Sequence, residues 1–155
     1  MLYQVADESF SYTGAASLPK AGFRGFIGYA SPDPSKNLTR ARIDELHGAG
    51  LPVGAVAEGT GSELLVQGGG RSLAQRISPV VGAWGVPADF LLYVALDQYA
   101  HPSQWTTVRD NLGDFASVVP WRLGCYAGSK LLSWLLGQGV IEKRWVAGAY
   151  SWYDD

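Results

Sequence analysis

The segment Gly48-Ala49-Gly50-Leu51-Pro52-Val53 decides the fold, because it joins the end of a predicted helix to the start of a predicted strand within very few residues. The helix is predicted over Thr39 to His47, and the apolar strand over Val53 to Ala57. Gly85-Val86-Pro87, just before Phe90, repeats the arrangement. Short links from helix to strand are typical of repeated βα units.

The same alternation of short apolar runs and longer amphipathic stretches continues along the chain, and it predicts a parallel sheet covered by helices. About six βα units fit into 155 residues, whereas a complete eight-stranded barrel needs about 250. The predicted fold class is therefore α/β, a shortened or incomplete (β/α) TIM-like barrel. We expect one domain over residues 1–155, which is either a shortened barrel or one truncated at the C-terminus. The strands are predicted at Tyr3 to Ala6, Gly25 to Tyr29, Val53 to Ala57, Phe90 to Leu96, Leu123 to Tyr126 and Trp145 to Ala149.

Three further helices are predicted, over Leu73 to Trp84, Ser103 to Ala116 and Ser129 to Leu136. Thr39 is the expected N-cap of the first helix and Ser72 that of the second. The glycine-rich run Gly68 to Ser72 lacks the residues of a phosphate-binding loop, so it is interpreted as a flexible βα loop.

Composition excludes several classes of function. The net charge is −2 and the basic residues form no run, so nucleic acid is not expected as a partner. No apolar stretch approaches the roughly 18 residues of a spanning helix, and the N-terminus has no signal-peptide pattern, so no membrane insertion is expected. Cys125 is the single cysteine and the two histidines form no zinc motif, so no disulfide, metal or cofactor is predicted.

Acidic residues occur at one place in the repeating unit, since Asp7, Glu58 and Asp97 each follow a predicted strand. Side chains beyond the carboxyl ends of parallel strands converge on the ligand site. Tyr29 and Tyr126 end two other strands. Carboxylates among aromatic rings are typical of sugar-binding clefts, and glycoside hydrolysis needs two carboxyl groups. A single Asp after a strand is more often a helix cap, but three at equivalent positions favour a site.

Four other residues are candidate ligand contacts. Trp145 and Trp152 lie at and beyond the sixth strand, and His101 and Tyr99 follow Asp97 in the same loop. Asp97 and Glu58 are the first candidates for catalysis, and Asp7 is a candidate for orienting the substrate.

The chain also resembles a known family. The segments Ile27 to Thr39, Glu45 to Gly54 with Glu58, Leu92 to Asp97 and Leu123 to Gly128, together with Trp145, are similar in order and spacing to the glycoside-hydrolase-like barrels. That family was first catalogued as domain of unknown function 1906, and it is related in fold to the family 25 muramidases. The resemblance covers nearly the whole chain.

The resemblance implies an acidic barrel pocket directed at bacterial cell-wall glycan, in an extracellular or virion-associated protein. Asp7, Glu58 and Asp97 match the family's acidic positions, and Tyr29 and Tyr126 match its pocket tyrosines. Three positions depart from the pattern. Gly28 replaces an arginine, Tyr99 an acidic residue and Val146 a glutamine. Because Tyr99 stands where the related muramidases carry a proton donor, the alternative is an inactive glycan-binding or structural module of a phage virion or other surface assembly.

Overall fold

Six parallel strands form one sheet in the computed structural model, which describes residues 4–8 and 13–148. Each strand pairs with the next one along the chain, and the sheet curls into a half-barrel. Within the described residues the first and last strands do not pair with each other. The prediction of an incomplete α/β barrel is confirmed. The strands are β1 (Ala6–Asp7), β2 (Phe26–Ala30), β3 (Val53–Ala57), β4 (Leu91–Ala95), β5 (Arg122–Ala127) and β6 (Lys143–Val146).

Helices connect successive strands. Thr39 caps the second of them as predicted, because its hydroxyl accepts a hydrogen bond from the Arg42 backbone N–H at 3.1 Å. Three short 3-10 turns, at Pro34–Lys36, Glu63–Leu65 and Pro102–Gln104, lie in the loops that follow strands. No helix in the described ranges is long and apolar enough to span a membrane. The helices are α1 (Ser17–Lys20), α2 (Arg40–Gly48), α3 (Gly69–Gly82), α4 (Trp105–Ala116) and α5 (Ser129–Gly137).

The glycine-rich run differs from its prediction. Gly68 is the N-cap of α3 with a positive φ of 76°, and the helix begins at Gly69, so Ser72 does not cap it. A Cβ atom at Gly70 would overlap the backbone of Asn111 on α4. The run is therefore the start of a helix and not a flexible loop, and Gly70 allows α3 to lie close to α4.

The two faces of the sheet bury different side chains. On the outer face Leu92, Val94 and Cys125 are fully buried against the helices, and burial raises the pKa of the Cys125 thiol to about 12. The inner face lines the lumen of the half-barrel. It carries a small apolar cluster with four aromatic rings packed against it, composed of Ile27, Val56 and Ala95 with Tyr29, Tyr93, Tyr126 and Trp145.

Candidate active site

Strand alternation brings the predicted site residues to one place. Side chains two positions apart on a strand share a face. Val56 and Ala95 face the lumen, so Glu58 and Asp97, two residues further along at the strand ends, lie on the same side. Six of the predicted residues line one cavity of about 240 Å³ at the carboxyl ends of the strands. We call this cavity the acidic pocket. Its lining comprises Asp7, Tyr29, Glu58, Asp97, Tyr126 and Trp145 together with Val56, Ala95, Val146 and Gly148.

Asp7 and Tyr29 form a hydrogen bond inside the acidic pocket, in which the phenol donates to the carboxylate. Burial raises the pKa of Asp7 above its usual range, and the nearby Glu58 and Glu8 charges act in the same direction, while the hydrogen bond from Tyr29 opposes them. Burial raises the pKa of Tyr29, and the charges of Asp7 and Glu58 and the hydrogen bond to Asp7 act in the same direction. Tyr29 therefore remains a hydrogen-bond donor, and the protonated form of Asp7 is favoured relative to a free aspartate.

Glu58 forms an ion pair with Lys36, whose Nζ lies 3.0 Å from the Glu58 Oε1 atom. Both side chains are about one quarter exposed. The Lys36 ammonium group also lies 5.9 Å from the centroid of the Tyr29 ring. Among the described residues this is the one ion pair that includes a residue lining the acidic pocket. Lys36 is not among the predicted site residues, because nothing in its spacing distinguishes it from an exposed loop lysine.

The loop that carries Lys36 is fixed by local hydrogen bonds. The Asn37 side chain accepts from the Ser31 backbone N–H at 2.5 Å and donates to the Ser31 carbonyl at 3.0 Å. The Leu38 backbone N–H donates to the Tyr29 carbonyl at 2.9 Å. Lys36 is thus held beside the strand that supplies Tyr29.

Asp97 is positioned by the loop after β3. Its backbone N–H donates to the Gly61 carbonyl at 2.9 Å, and a Cβ atom at Gly61 would lie 2.9 Å from the Asp97 Cβ. Gly61 also has a positive φ of 81°, so two constraints require glycine there. Glu63 stabilises this loop, since its Oε1 atom accepts hydrogen bonds from the Thr60 backbone N–H at 2.8 Å and from the Arg76 guanidinium at 3.0 Å. One loop therefore carries Glu58 and holds Asp97.

Aromatic rings form one wall of the lumen. The Trp145 ring makes edge contacts with the rings of Tyr126 and Tyr93, at centroid distances of 5.0 and 5.8 Å. A Cβ atom at Gly124 would overlap the Tyr93 ring, so the glycine gives that ring its space. Burial, followed by the charges of Asp97, Asp7 and Glu58, raises the pKa of Tyr126. Tyr126 and Trp145 are among the predicted site residues and Tyr93 is not, although Tyr93 lies an even number of residues before Asp97 and so faces the same side of the sheet.

Three predicted contacts are not brought to the acidic pocket. Tyr99 lines a separate small recess beside it. The His101 ring is exposed, and its Nδ1 caps the following 3-10 turn by accepting from the Ser103 backbone N–H at 3.3 Å. Trp152 lies outside the described residues.

The three departures from the family pattern differ in their consequences. Gly28 faces the helix layer, where a Cβ atom would overlap the buried Leu38 side chain, so a side chain at position 28 does not reach the acidic pocket. The cation that pairs with a carboxylate of the pocket is Lys36, through Glu58. Val146 does line the pocket, so the valine makes its wall less polar.

Comparison with solved structures identifies similar folds. The Tat-secreted protein Rv2525c of Mycobacterium tuberculosis superposes with a TM-score of 0.77 in its complex with L-tartrate and 0.78 in its complex with HEPES. The identities are 23% and 22%, and the matches cover 90% and 96% of this chain and 75% and 81% of the other. GHIP, a glycosyl hydrolase 25 of Streptococcus pneumoniae, gives a TM-score of 0.57 at 16% identity, over 96% of this chain and 70% of its own.

The chain has a glycoside-hydrolase-25-like fold. No protein-family model and no curated protein sequence matches it. At these identities the likeness concerns the fold alone. Within the described ranges no group of three or more His, Cys, Asp or Glu side chains is arranged to hold a metal ion.

Proposed function

We propose that the chain is a glycoside-hydrolase-like module that binds a bacterial cell-wall glycan in the acidic pocket and hydrolyses it outside the cell. The observation that carries the proposal is the convergence of three carboxyl groups and three aromatic rings on one cavity at the carboxyl ends of the strands. Active sites of barrel enzymes lie at this end. The cavity of about 240 Å³ has room for one sugar ring of a longer chain.

Hydrolysis of a glycosidic bond needs one carboxyl group that gives a proton and another that acts as a base or a nucleophile. In the acidic pocket Asp7 is the candidate donor, because its environment favours the protonated form. Asp97 is exposed at the mouth of the pocket and is the candidate base or nucleophile. Glu58, paired with Lys36, is suited to accept hydrogen bonds from sugar hydroxyls.

The similar folds support this proposal without extending to residue roles. GHIP is a glycosyl hydrolase 25, and Rv2525c is a secreted protein whose complexes contain small polar molecules. A cell-wall substrate outside the producing cell, including a role as a phage lysin or tail-associated module, is consistent with both.

Turnover of purified peptidoglycan tests the proposal. The wild-type protein is expected to release soluble muropeptides, and Asp97→Asn, Glu58→Gln and Asp7→Asn are each expected to reduce the rate at least 100-fold. Asp110→Asn, at an exposed position on α4, is the control and should retain the full rate. Activity that is unchanged in Asp97→Asn and Glu58→Gln would contradict the assignment.

A second candidate function is a glycan-binding or structural module without hydrolysis, for example in a virion. It is favoured by Tyr99, which replaces the acidic residue of the resembled family and lies outside the acidic pocket. Within residues 4–8 and 13–148, β1 and β6 each pair with one strand, and their outer edges offer strands that a partner chain could extend. Pull-down by peptidoglycan without release of muropeptides would favour glycan binding. Co-purification in a larger assembly without glycan binding would favour the structural role.

A further inference from the structure

A second cavity lies at the opposite end of the half-barrel from the acidic pocket, beside the first residues of β2, β3 and β4. Its volume is about 450 Å³, compared with about 240 Å³ for the acidic pocket. This volume falls within the range of cavities that hold small organic ligands. We call this space the amino-end cavity. The lining residues that decide its chemistry are Val5, Arg24, Ile27, Gly54, Leu91 and Tyr93.

Apolar groups form the walls of the amino-end cavity, and a glycine keeps it open. Gly54 on β3 is in register with Ile27 on β2, and Leu91 lies on the other side of it on β4. A Cβ atom at Gly54 would lie 3.2 Å from the Leu91 carbonyl oxygen, so a larger residue there requires a shift of the sheet. A closed barrel fills its lumen with layers of side chains. Among the residues that the structure describes, this row has no side chain at its centre, and the cavity occupies that space.

Arg24 is the one charged residue among the described residues that line the amino-end cavity. Its backbone N–H donates to the Gln4 carbonyl at 2.8 Å, which holds it beside the start of β1. Its side chain is exposed and takes part in none of the ion pairs found within residues 4–8 and 13–148. The acidic pocket, by contrast, is lined by three carboxyl groups. The linings of the two cavities therefore differ in the sign of their charge.

The amino-end cavity continues into the lumen. It shares Val5, Ile27 and Tyr93 with an adjoining cavity of about 320 Å³, and that cavity in turn shares Trp145 with the acidic pocket. Burial raises the pKa of Tyr93 above its usual range, so its phenol stays neutral in the middle of this passage. An extended apolar chain that starts at Arg24 therefore has continuous space toward Trp145.

From the volume, the apolar walls and the single cation, we infer that the amino-end cavity binds a single-chain amphiphile with a carboxylate head, a medium-chain fatty acid of about ten carbons. The carboxylate pairs with the Arg24 guanidinium, which can donate two parallel hydrogen bonds to it. The chain lies against Val5, Ile27 and Leu91, and its end points toward Tyr93. The reverse orientation would bring the carboxylate toward the acidic pocket, where like charges repel it. The inference is independent of the proposed function, because the ligand occupies the other end of the lumen.

Calorimetry with two amphiphiles of equal chain length tests the site. Decanoate and the decyltrimethylammonium ion are each titrated into the wild-type protein below the concentrations at which they form micelles. Decanoate should bind about tenfold more tightly than the cation, because the exposed Arg24 attracts one head group and repels the other. Affinity should also rise about threefold for each methylene group added between octanoate and decanoate, since the added group is buried. Arg24→Met should abolish the preference for the anion, and Arg24→Lys should retain it.

The matched control is Arg144→Met. Arg144 lines the adjoining cavity, but its guanidinium donates to the Ser133 hydroxyl on α5 at 3.2 Å, so its loss should leave the preference unchanged. Val5→Trp tests the space itself at a position that is 45% exposed and therefore tolerates a larger side chain. The indole should occupy part of the cavity and weaken decanoate binding about fivefold, because less of the chain is then buried.

Four results would overturn the site. They are absence of decanoate binding, equal affinity for the anion and the cation, an affinity that does not rise with chain length, and a preference that survives Arg24→Met. Binding to phosphatidylglycerol vesicles without binding of decanoate would also overturn it, since the protein would then recognise a membrane surface. The peptidoglycan assay is a separate readout, in which Arg24→Met should match the wild-type rate, so either proposal can fail while the other stands.

Discussion

The outer face of the sheet and the face that lines the lumen carry different side chains on the same strands. On β4 and β5 the outward positions Leu92, Val94 and Cys125 are sealed from water by the helices. The inward positions Tyr93 and Tyr126 remain partly exposed around an open cavity. Parity along a strand therefore separates residues that stabilise the fold from residues that can contact a ligand.

This difference predicts how substitutions divide. Substitutions in the helix layer should lower the free energy of unfolding, because the side chains there are closely packed and cannot shift into solvent to accommodate the change. Changes around the acidic pocket should cost little stability and act on ligand binding. Each of the following experiments tests that division, beginning with the largest expected effect.

Asn111→Ala should produce the largest loss of stability. The Asn111 side chain is buried, accepts from the Gly70 N–H and donates to the carbonyls of Leu64 and Val66 at 2.8 to 3.0 Å. Alanine leaves these three backbone groups unpaired, at a cost of about 3 to 4 kcal/mol in the free energy of unfolding. Urea denaturation measures it, with Asp110→Ala on the exposed side of α4 as a control within about 0.5 kcal/mol. A loss below 1 kcal/mol would show that water can replace Asn111.

Gly28→Ala tests whether a side chain at position 28 points away from the lumen, toward the helix layer. The added methyl group overlaps the buried Leu38 side chain, and overpacking of this kind costs about 2 kcal/mol. Leu38→Ala alone leaves a cavity and costs about 3 kcal/mol. In the double variant the new methyl group has space. The double variant should therefore lose at least about 1 kcal/mol less free energy of unfolding than the sum of the two single-variant losses. Additive losses would mean that position 28 does not face Leu38.

Lys36→Met examines the inner face. The ion pair with Glu58 is partly exposed, so its loss should lower the free energy of unfolding by no more than about 1 kcal/mol. Glu58→Gln should lower the free energy of unfolding by a similarly small amount. The double variant should be no less stable than the less stable of the two single variants, because each change removes the same ion pair. Urea denaturation at low and high salt measures the coupling, which salt should reduce. A loss above 3 kcal/mol would place Lys36 in the structural core.

The sequence predicted β2 to β5 and the convergence of the three acidic residues, because both depend on local patterns. The first and last strands were predicted less closely, since β1 ends at Asp7 and β6 begins at Lys143. Apolar runs bounded by Gly and Pro mark β3 and β4. Residues that directly follow parallel strands all lie at the same edge of the sheet. Lys36, Gly61 and Glu63 were missed, since their roles depend on contacts between separate loops. Gly70 was misinterpreted for the same reason, because its neighbour on α4 is 41 residues away.

The smallest effect is expected for Asp7→Asn, which should slightly stabilise the protein at neutral pH. The pKa of Asp7 is raised in the folded state, so its contribution to stability is present at low pH and is lost as the pH rises through the folded pKa. Asparagine stays neutral and still accepts the hydrogen bond from Tyr29. The gain should be a fraction of a kcal/mol at pH 7, since water reaches the carboxylate, and should vanish below the usual aspartate pKa of about 3.9.

Thermal unfolding of Asp7→Asn and wild type between pH 3 and pH 8 measures this difference. Because the Glu58 charge contributes to the raised pKa of Asp7, the gain should shrink in a Glu58→Gln background. If Asp7→Asn were instead less stable than wild type at pH 7 and equal to it at pH 3, the Asp7 carboxylate would be stabilised in the folded protein. Asp7 would then be a poor proton donor, and the inner face would owe part of its stability to a residue assigned here to catalysis.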